Sequence, residues 1–431
     1  MSELKRHMGL FGTTMYGMGL ILGAGIYVLI GQAAGIAGNV VWVSFVFGAV
    51  AAVFSGLSYA ELSSMFPKSA AEFLFVKNAF KNNFIAFLVG WMTIFTSIIS
   101  ASTVALGFGG YLTGFFGAPI VVSAISLIAL LSLINFIGIR ESSWMNVAFT
   151  LIEASGLILI IYLGFTYGGT EPVDYFESPA GLGGISLAFV LIFFAFIGFE
   201  DIVNIAEETK NPKKILSRAI ILSISITAII YILVSLAAIQ ILNWQELGSS
   251  LSPLADVAKK ILGSNGQFIL SIIALFATAN TVLIILVAGS RIIYGMARQH
   301  SLPTLLGRIH YRTKTPWIAV LGIMITAIIF SFLENIVTVA NISVFFIAIT
   351  FGMVNLSVIL LRYSEPSIER PFKIPINIGR FPLLPLFGVI ISAYMMTQFN
   401  AFVTSVGIGV IAAGALFYGL SKKYITKPAQ S

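Results

Sequence analysis

Cysteine is missing from all 431 residues, which excludes a disulfide framework, a thiolate metal site and a cysteine nucleophile. Histidine is nearly missing. His7, His300 and His310 fall outside the apolar runs, so neither an intramembrane zinc site nor a histidine proton relay is available. No glycine is followed by lysine, so the chain has no phosphate-binding P-loop and cannot hydrolyse ATP by that route. Charge is scarce as well, at 10 % of residues against 58 % hydrophobic. A soluble domain cannot hide that much apolar surface behind so few charges. At ~20 residues per spanning helix, the apolar content suffices for about twelve spans. The composition is that of a polytopic all-α membrane protein. It excludes nucleic-acid binding, a secreted disulfide scaffold and disorder, and it gives no reason to expect a metal or cofactor.

Apolar runs fall at about 10–33, 40–65, 84–111, 119–138, 145–167, 185–207, 216–242, 265–297, 317–333, 337–361, 382–398 and 401–420. The first follows Lys5 and Arg6, as a signal peptide would, but it is too long for one and the second run begins within a few residues. It reads as a retained span. Twelve spans put both termini on one side of the membrane. Of the 24 Lys and Arg, all but Lys259 and Lys260 then share that side, while the opposite loops carry Glu171, Asp174, Glu177, Glu246, Asp256 and Glu334. So lopsided a distribution would not survive an error of one in the span count, and both termini are expected in the cytoplasm. The net charge of +7 is thus a topology signal and not the mark of an anionic partner.

The first span contains Gly17-Met-Gly-Leu-Ile-Leu-Gly-Ala-Gly25-Ile26, and the sixth contains Phe193-Phe-Ala-Phe-Ile-Gly-Phe-Glu200-Asp201, both at mid-membrane depth. The third and eighth spans, again five apart, are both long. Taken alone, glycines at the spacing of Gly19 and Gly23 mark close helix packing. Matching interruptions in two halves point instead to an inverted-repeat transporter with its site at the breaks, and with no P-loop its transport is secondary. Span one starts in the cytoplasm, so its first half ends in free carbonyls near Ile21 and Leu22, just before Gly23. Its second half opens with free amides near Ala24, Gly25 and Ile26. Span six breaks in the same sense, with free carbonyls over 194–197 ahead of Gly198. Amides at a helix start favour a carboxylate, and carbonyls at a helix end favour an ammonium. Side by side, the two poles suit an α-amino acid.

Five groups of residues occur in order along the chain. They are GMGLILGAGIY in the first span; Tyr59-Ala-Glu-Leu62 with Phe66-Pro-Lys-Ser69; and FFAFIGFED with Ala206-Glu-Glu-Thr-Lys-Asn-Pro-Lys213 and Arg218. Ser290-Arg291 with Met296-Ala-Arg298 and Leu302-Pro303 follows, and then Arg370-Pro-Phe-Lys-Ile-Pro375. Together they resemble the amino acid–polyamine–organocation transporter family over nearly the whole chain. The resemblance implies two inverted five-helix repeats, 1–167 and 168–362, with two added helices in 363–431. It implies that a substrate carboxylate meets the amides of Ala24, Gly25 and Ile26, and that its ammonium meets the carbonyls of Ile21, Phe194 and Ile197. Phe194 would cover the substrate as an outer gate. Two departures stand out. Ala70-Ala71 replaces the family's glycine pair, and Glu153 occupies the place where many relatives carry a lysine thought to stand in for sodium. The lysine-based coupling scheme therefore does not transfer.

A carboxylate at the bilayer centre costs ~3 kcal/mol or more, so a buried acid is a functional candidate. Glu153 lies about eight residues into span five, where apolar surroundings favour its neutral form and let it carry a proton. With oxygens of Thr278, Asn280 and Thr281 it could instead hold a cation, and a permanently protonated carboxyl bonded to span one is the structural alternative. Glu200 and Asp201 stand equally well as helix caps or as transport residues. Glu61 is expected to pair with a lysine of the following loop. The chain is thus expected to be a plasma-membrane permease moving amino acids by alternating access, coupled to a proton near Glu153, Glu200 and Asn280. Phe194, Ile284 and Ile285 on the pocket wall, with no Lys or Arg at that depth, favour neutral side chains. The alternatives are an uncoupled exchanger and a carrier of cationic amino acids or polyamines. A channel or sensor on the same fold is disfavoured by the paired helix ends, and an intramembrane enzyme would have only carboxylates to work with. With no cysteine, a disulfide-linked partner subunit is excluded.

Overall fold

The computed structural model describes residues 8–68, 71–137, 143–168, 172–206 and 208–425. Lys5, Arg6, His7, Ser69, Ala70, Arg140, Glu171, Glu207 and Lys427, used in the topology and motif arguments, lie outside the described residues. Lipid offers the backbone no hydrogen-bond partner, so each apolar run satisfies itself as a helix. The first half of the chain forms α1 (Leu10–Leu22), α2 (Ala24–Ala37), α3 (Val41–Met65), α4 (Ala71–Phe80), α5 (Asn83–Phe116), α6 (Ile120–Ile137) and α7 (Ser143–Tyr167). The second half forms α8 (Gly181–Phe193), α9 (Pro212–Ile241), α10 (Trp244–Ser249), α11 (Pro253–Arg298), α12 (Trp317–Ser331), α13 (Ile336–Ser364), α14 (Leu383–Met396) and α15 (Ala401–Ile425). A two-residue hairpin of β1 (Asn377–Ile378) and β2 (Phe381–Pro382) is the only sheet among the described residues.

Among the described residues, ten stretches are long and apolar enough to cross a membrane, counting α1 with α2 as one and α8 with the turns after it as another. The two shorter apolar helices, α12 and α14, stand at the ninth and eleventh apolar runs of the sequence. Span one is the most enclosed of these stretches, with 82 % of its most apolar window buried inside the protein. α1 packs against α7 and α9, and α2 against α8 and α10, while α5 and α11 run along one another. The broken spans therefore sit at the centre, where other helices rather than lipid satisfy the irregular backbone.

One end of the bundle, where α2 meets α10, is closed by backbone contact. Gly35 of α2 and Gly248 of α10 meet so closely that a Cβ on Gly248 would lie 2.8 Å from the Gly35 Cα. The Glu177 carboxylate ties this closure together, accepting Asn39 Nδ2 at 2.7 Å and Trp244 Nε1 at 2.9 Å.

At the opposite end Glu61 does form an ion pair, but with arginines from far along the chain and not with a lysine of the next loop. Arg362 at the end of α13 binds it with two nitrogens, Nε to Oε1 at 2.8 Å and Nη2 to Oε2 at 2.6 Å. Arg370 approaches to 3.4 Å, and the Ile374 amide donates to Oε2 at 2.9 Å. The planar guanidinium matches a buried carboxylate as an ammonium cannot, and the loop lysines point to solvent, where Lys81 pairs with Glu365. Arg362→Ala leaves Glu61 charged and buried, an expected loss of about 3–5 kcal/mol. A thermal unfolding scan should show that loss, with partial recovery in the Glu61→Ala/Arg362→Ala double variant.

Candidate substrate site at the two broken spans

α1 stops at Leu22 and α2 starts at Ala24, because Gly23 between them has φ −45° and ψ −130°. Its α-carbon abuts the Thr281 hydroxyl of α11, and that of Gly25 abuts the main chain of Ala195. No side chain fits between Gly25 and Ala195, and this brings the opening amides of α2 against the break in span six. That break begins where α8 ends at Phe193. One 3-10 turn (Phe194–Phe196) follows, then Ile197 in extended conformation and Gly198 at φ 127°. Only glycine adopts that φ without strain, and a Cβ there would stand 2.8 Å from the Leu20 carbonyl oxygen. A second 3-10 stretch, Phe199–Ile205, continues the span.

A small cavity lies between the breaks. Ile21, Gly25, Phe194, Ile197, Gly198 and Glu200 all line it. Ile284, Ile285 and Ile347 make one wall apolar. The facing wall is a stripe of hydroxyls on α5, Thr93, Thr96, Ser97 and Ser100, at the spacing of one helix face. Thr93, Thr96 and Ser97 donate their protons to the carbonyls of Val89, Met92 and Thr93 at 3.0, 3.0 and 3.2 Å. What they present to the cavity is therefore lone pairs. Glu200 and Asp201 add carboxylates, and among the described residues lining the cavity no side chain carries a nitrogen.

The carbonyl ends of the breaks are partly occupied. The Tyr231 hydroxyl of α9, fully buried, donates to the Ile21 carbonyl and lies 3.2 Å from that of Ala195, so it touches both breaks. The Phe194 carbonyl takes the Ile197 amide at 3.2 Å. Each carbonyl oxygen keeps a second lone pair for a ligand. At the start of α2, Gly23 has no side chain with which to cap the amides of Ala24, Gly25 and Ile26. Glu200 takes the capping role foreseen for it, its Oε2 accepting the Gly198 amide at 2.8 Å, while also standing on the cavity wall.

Gly23 and Ile26 adjoin the cavity along the chain without lining it, and Ile26 is fully buried. Glu153 and Asn280 stand off the cavity and bind each other. Asn280 Nδ2 donates to Glu153 Oε1 at 3.0 Å, and Glu153 Oε2 is buried with no hydrogen-bond partner. The Tyr27 hydroxyl donates to the Glu153 main-chain carbonyl at 2.6 Å. Thr278 and Thr281, considered above as oxygen ligands beside Glu153, give their protons to the carbonyls of Ala274 and Ala277 at 2.7 and 2.9 Å. Sequence reasoning missed Tyr231 and the hydroxyl stripe of α5. The stripe was visible as four hydroxyl residues on one face of an apolar run. Tyr231 gave no such signal, since a lone tyrosine in an apolar span reads as packing.

Residues 8–419 match the family model described as "Amino acid permease". The branched-chain amino acid permease BcaP of Bacillus subtilis (strain 168) is 29 % identical over 419 residues, covering 91 % of this chain and 88 % of that protein. A methylthioribose transporter of the same organism is 28 % identical over 448 residues, covering 98 % and 95 %. Cationic amino acid transporter 4 of Mus musculus is 30 % identical over 395 residues, covering 85 % of this chain and 61 % of the longer mouse protein.

Proposed function

The chain belongs to the amino acid permease family, and from that premise we propose that it is a secondary carrier moving amino acids across the plasma membrane by alternating access. The observation that carries the proposal is the meeting of two broken spans at one cavity, with the opening turn of α2 on one side and main-chain carbonyls of span six on the other. Amides over 24–26 hold the carboxylate; the free lone pairs of Ile21, Phe194 and Ile197 hold the ammonium. In this reading the chain crosses the membrane twelve times with both termini in the cytoplasm, as inverted repeats over 1–167 and 168–362 and two added helices in 363–431. The coupling ion is a proton carried at Glu153, whose buried, unpartnered Oε2 is the place for it. Gly25 and Gly198, which both line the cavity, put no side chain between the ligand and the two main chains.

The apolar wall of Phe194, Ile284, Ile285 and Ile347 supports neutral side chains such as those of the branched-chain amino acids, for which one relative is named. A second reading, a cationic amino acid, is favoured by the hydroxyl oxygens of Thr93, Thr96 and Ser97, whose protons are given to carbonyls, together with Glu200 and Asp201, and by the name of the mouse relative. Purified protein screened by thermal shift against leucine, isoleucine, lysine and arginine separates the two. A binder at a hundred times its dissociation constant stabilises by about 2.7 kcal/mol. Counterflow of the labelled binder in liposomes then tests carriage itself. If no amino acid stabilises the protein or exchanges across the bilayer, the proposal fails.

A further inference from the structure

α4 lies between the second and third spans, on the cytoplasmic side in the twelve-span reading. Glu72 and Phe75, three residues apart on one face of it, both grip Tyr59 of α3. The Tyr59 hydroxyl donates to Glu72 Oε1 at 3.1 Å, and the rings of Tyr59 and Phe75 meet edge-on at 6.0 Å. The same Tyr59 ring packs edge-on against Phe199 at 5.6 Å and Phe351 of α13 at 5.4 Å. Phe199 follows directly on Gly198 and opens the 3-10 stretch that carries Glu200 and Asp201 to the cavity. One buried tyrosine therefore joins a loop helix to the hinge of span six.

Glu72 is 3 % exposed, deep for a carboxyl on a loop helix. The titratable groups that face it are Tyr59 from α3 and Asp201 and Glu200 from span six. Of the other helices packed on α4, α5 has no charged residue, and the only charge on α13 is Arg362, which is committed to Glu61. On α4 itself, Lys77 is exposed and lies over the Phe73 ring.

We propose that Glu72 is a positioning residue for the inner end of the cavity: neutral, it lets α4 and Tyr59 pack as a latch against span six, and ionised, it keeps its hold on Tyr59 but repels Asp201 of span six and so opens that latch. This rests on the carrier reading above only for what passes through. Burial, and after it the Asp201 carboxylate, hold Glu72 up at about 7, while the Tyr59 hydrogen bond pulls the other way. Below that pH the neutral carboxyl packs without repulsion. Above it, a desolvated charge faces Asp201 and Glu200, and the latched state loses stability. Release into the cytoplasm therefore quickens as cytoplasmic pH rises through neutrality.

The chain lacks cysteine, so Ser97→Cys places a single thiol in the cavity. Its alkylation in purified protein, corrected for thiolate content against a free thiol, reports opening without any substrate. The corrected rate is expected to rise about tenfold between about pH 6 and about pH 8, within the ceiling of tenfold per pH unit for one proton. Adding Glu72→Gln should hold the rate at its low-pH value throughout. Adding Tyr59→Phe, which removes only the hydroxyl, should move the midpoint to higher pH. A step that persists unchanged in Glu72→Gln, or a midpoint unmoved in Tyr59→Phe, overturns the proposal. A protein that shows the step yet carries no amino acid sinks the carrier reading and leaves the latch standing.

Discussion

Gly198→Ala is expected to abolish uptake and to lower the unfolding midpoint. Two independent penalties coincide there. At φ 127° an L-residue occupies backbone space that it reaches only with about 1–3 kcal/mol of strain. The new Cβ would also stand 2.8 Å from the Leu20 carbonyl oxygen and 3.0 Å from its carbon, main-chain atoms with no rotamer to yield. Relief requires span six to turn away from span one, which parts the carbonyls proposed for the ammonium from the α2 amides. A combined penalty of more than about 3 kcal/mol leaves fewer than about one molecule in a hundred with an intact site. Substrate-induced stabilisation in a thermal scan should vanish with uptake; retention of both at wild-type strength would remove Gly198 from the site.

Glu153→Gln is expected to separate accumulation from exchange. One pH unit across the membrane is worth about 1.4 kcal/mol per proton, enough to concentrate a substrate about tenfold when one proton accompanies it. Glutamine keeps an oxygen for Asn280 Nδ2, now at 3.0 Å from Oε1, while removing the titratable group. The variant should still exchange labelled for unlabelled amino acid across liposomes. Its accumulation under an imposed pH gradient should fall from about tenfold to none. Accumulation at the wild-type level would move the coupling proton elsewhere, and absence of accumulation in the wild type would make the protein an exchanger.

The broken spans were legible in the sequence because glycine interruptions at matching depth have few other uses in an apolar run. The interruption at Gly23 and the one at Gly198 both lie where the glycine clusters put them. What the sequence concealed was of two kinds. Short pieces such as α4 and α10 are too brief to stand out, and so is the first part of α11, which bears Asp256, Lys259 and Lys260; it is set off by a break at Gly263 (φ 66°, ψ −154°), just before the apolar run at 265–297 begins. Long-range partners were the other kind. The charge on Glu61 announced an ion pair, yet no local pattern pointed to Arg362, three hundred residues on. Glu200 showed that two readings of one residue need not compete, since a single carboxylate both caps Gly198 and faces the cavity.

At 1.5 Å per residue, the 15 residues of α12 and the 14 of α14 extend only about 22 and 21 Å, against ~30 Å of bilayer hydrocarbon. Both turn apolar side chains outward, Ile325 and Ile329 on one, Phe387 and Ile390 on the other. If both cross the membrane, as the proposed twelve-span arrangement has them, lipid beside them must thin or the helices must be shielded, so acyl-chain length acts as a mechanical load on this protein. That load falls on α5 and α13, which back the two short helices and also form part of the cavity wall. Turnover should accordingly be sensitive to membrane thickness, fastest where the surrounding chains are short.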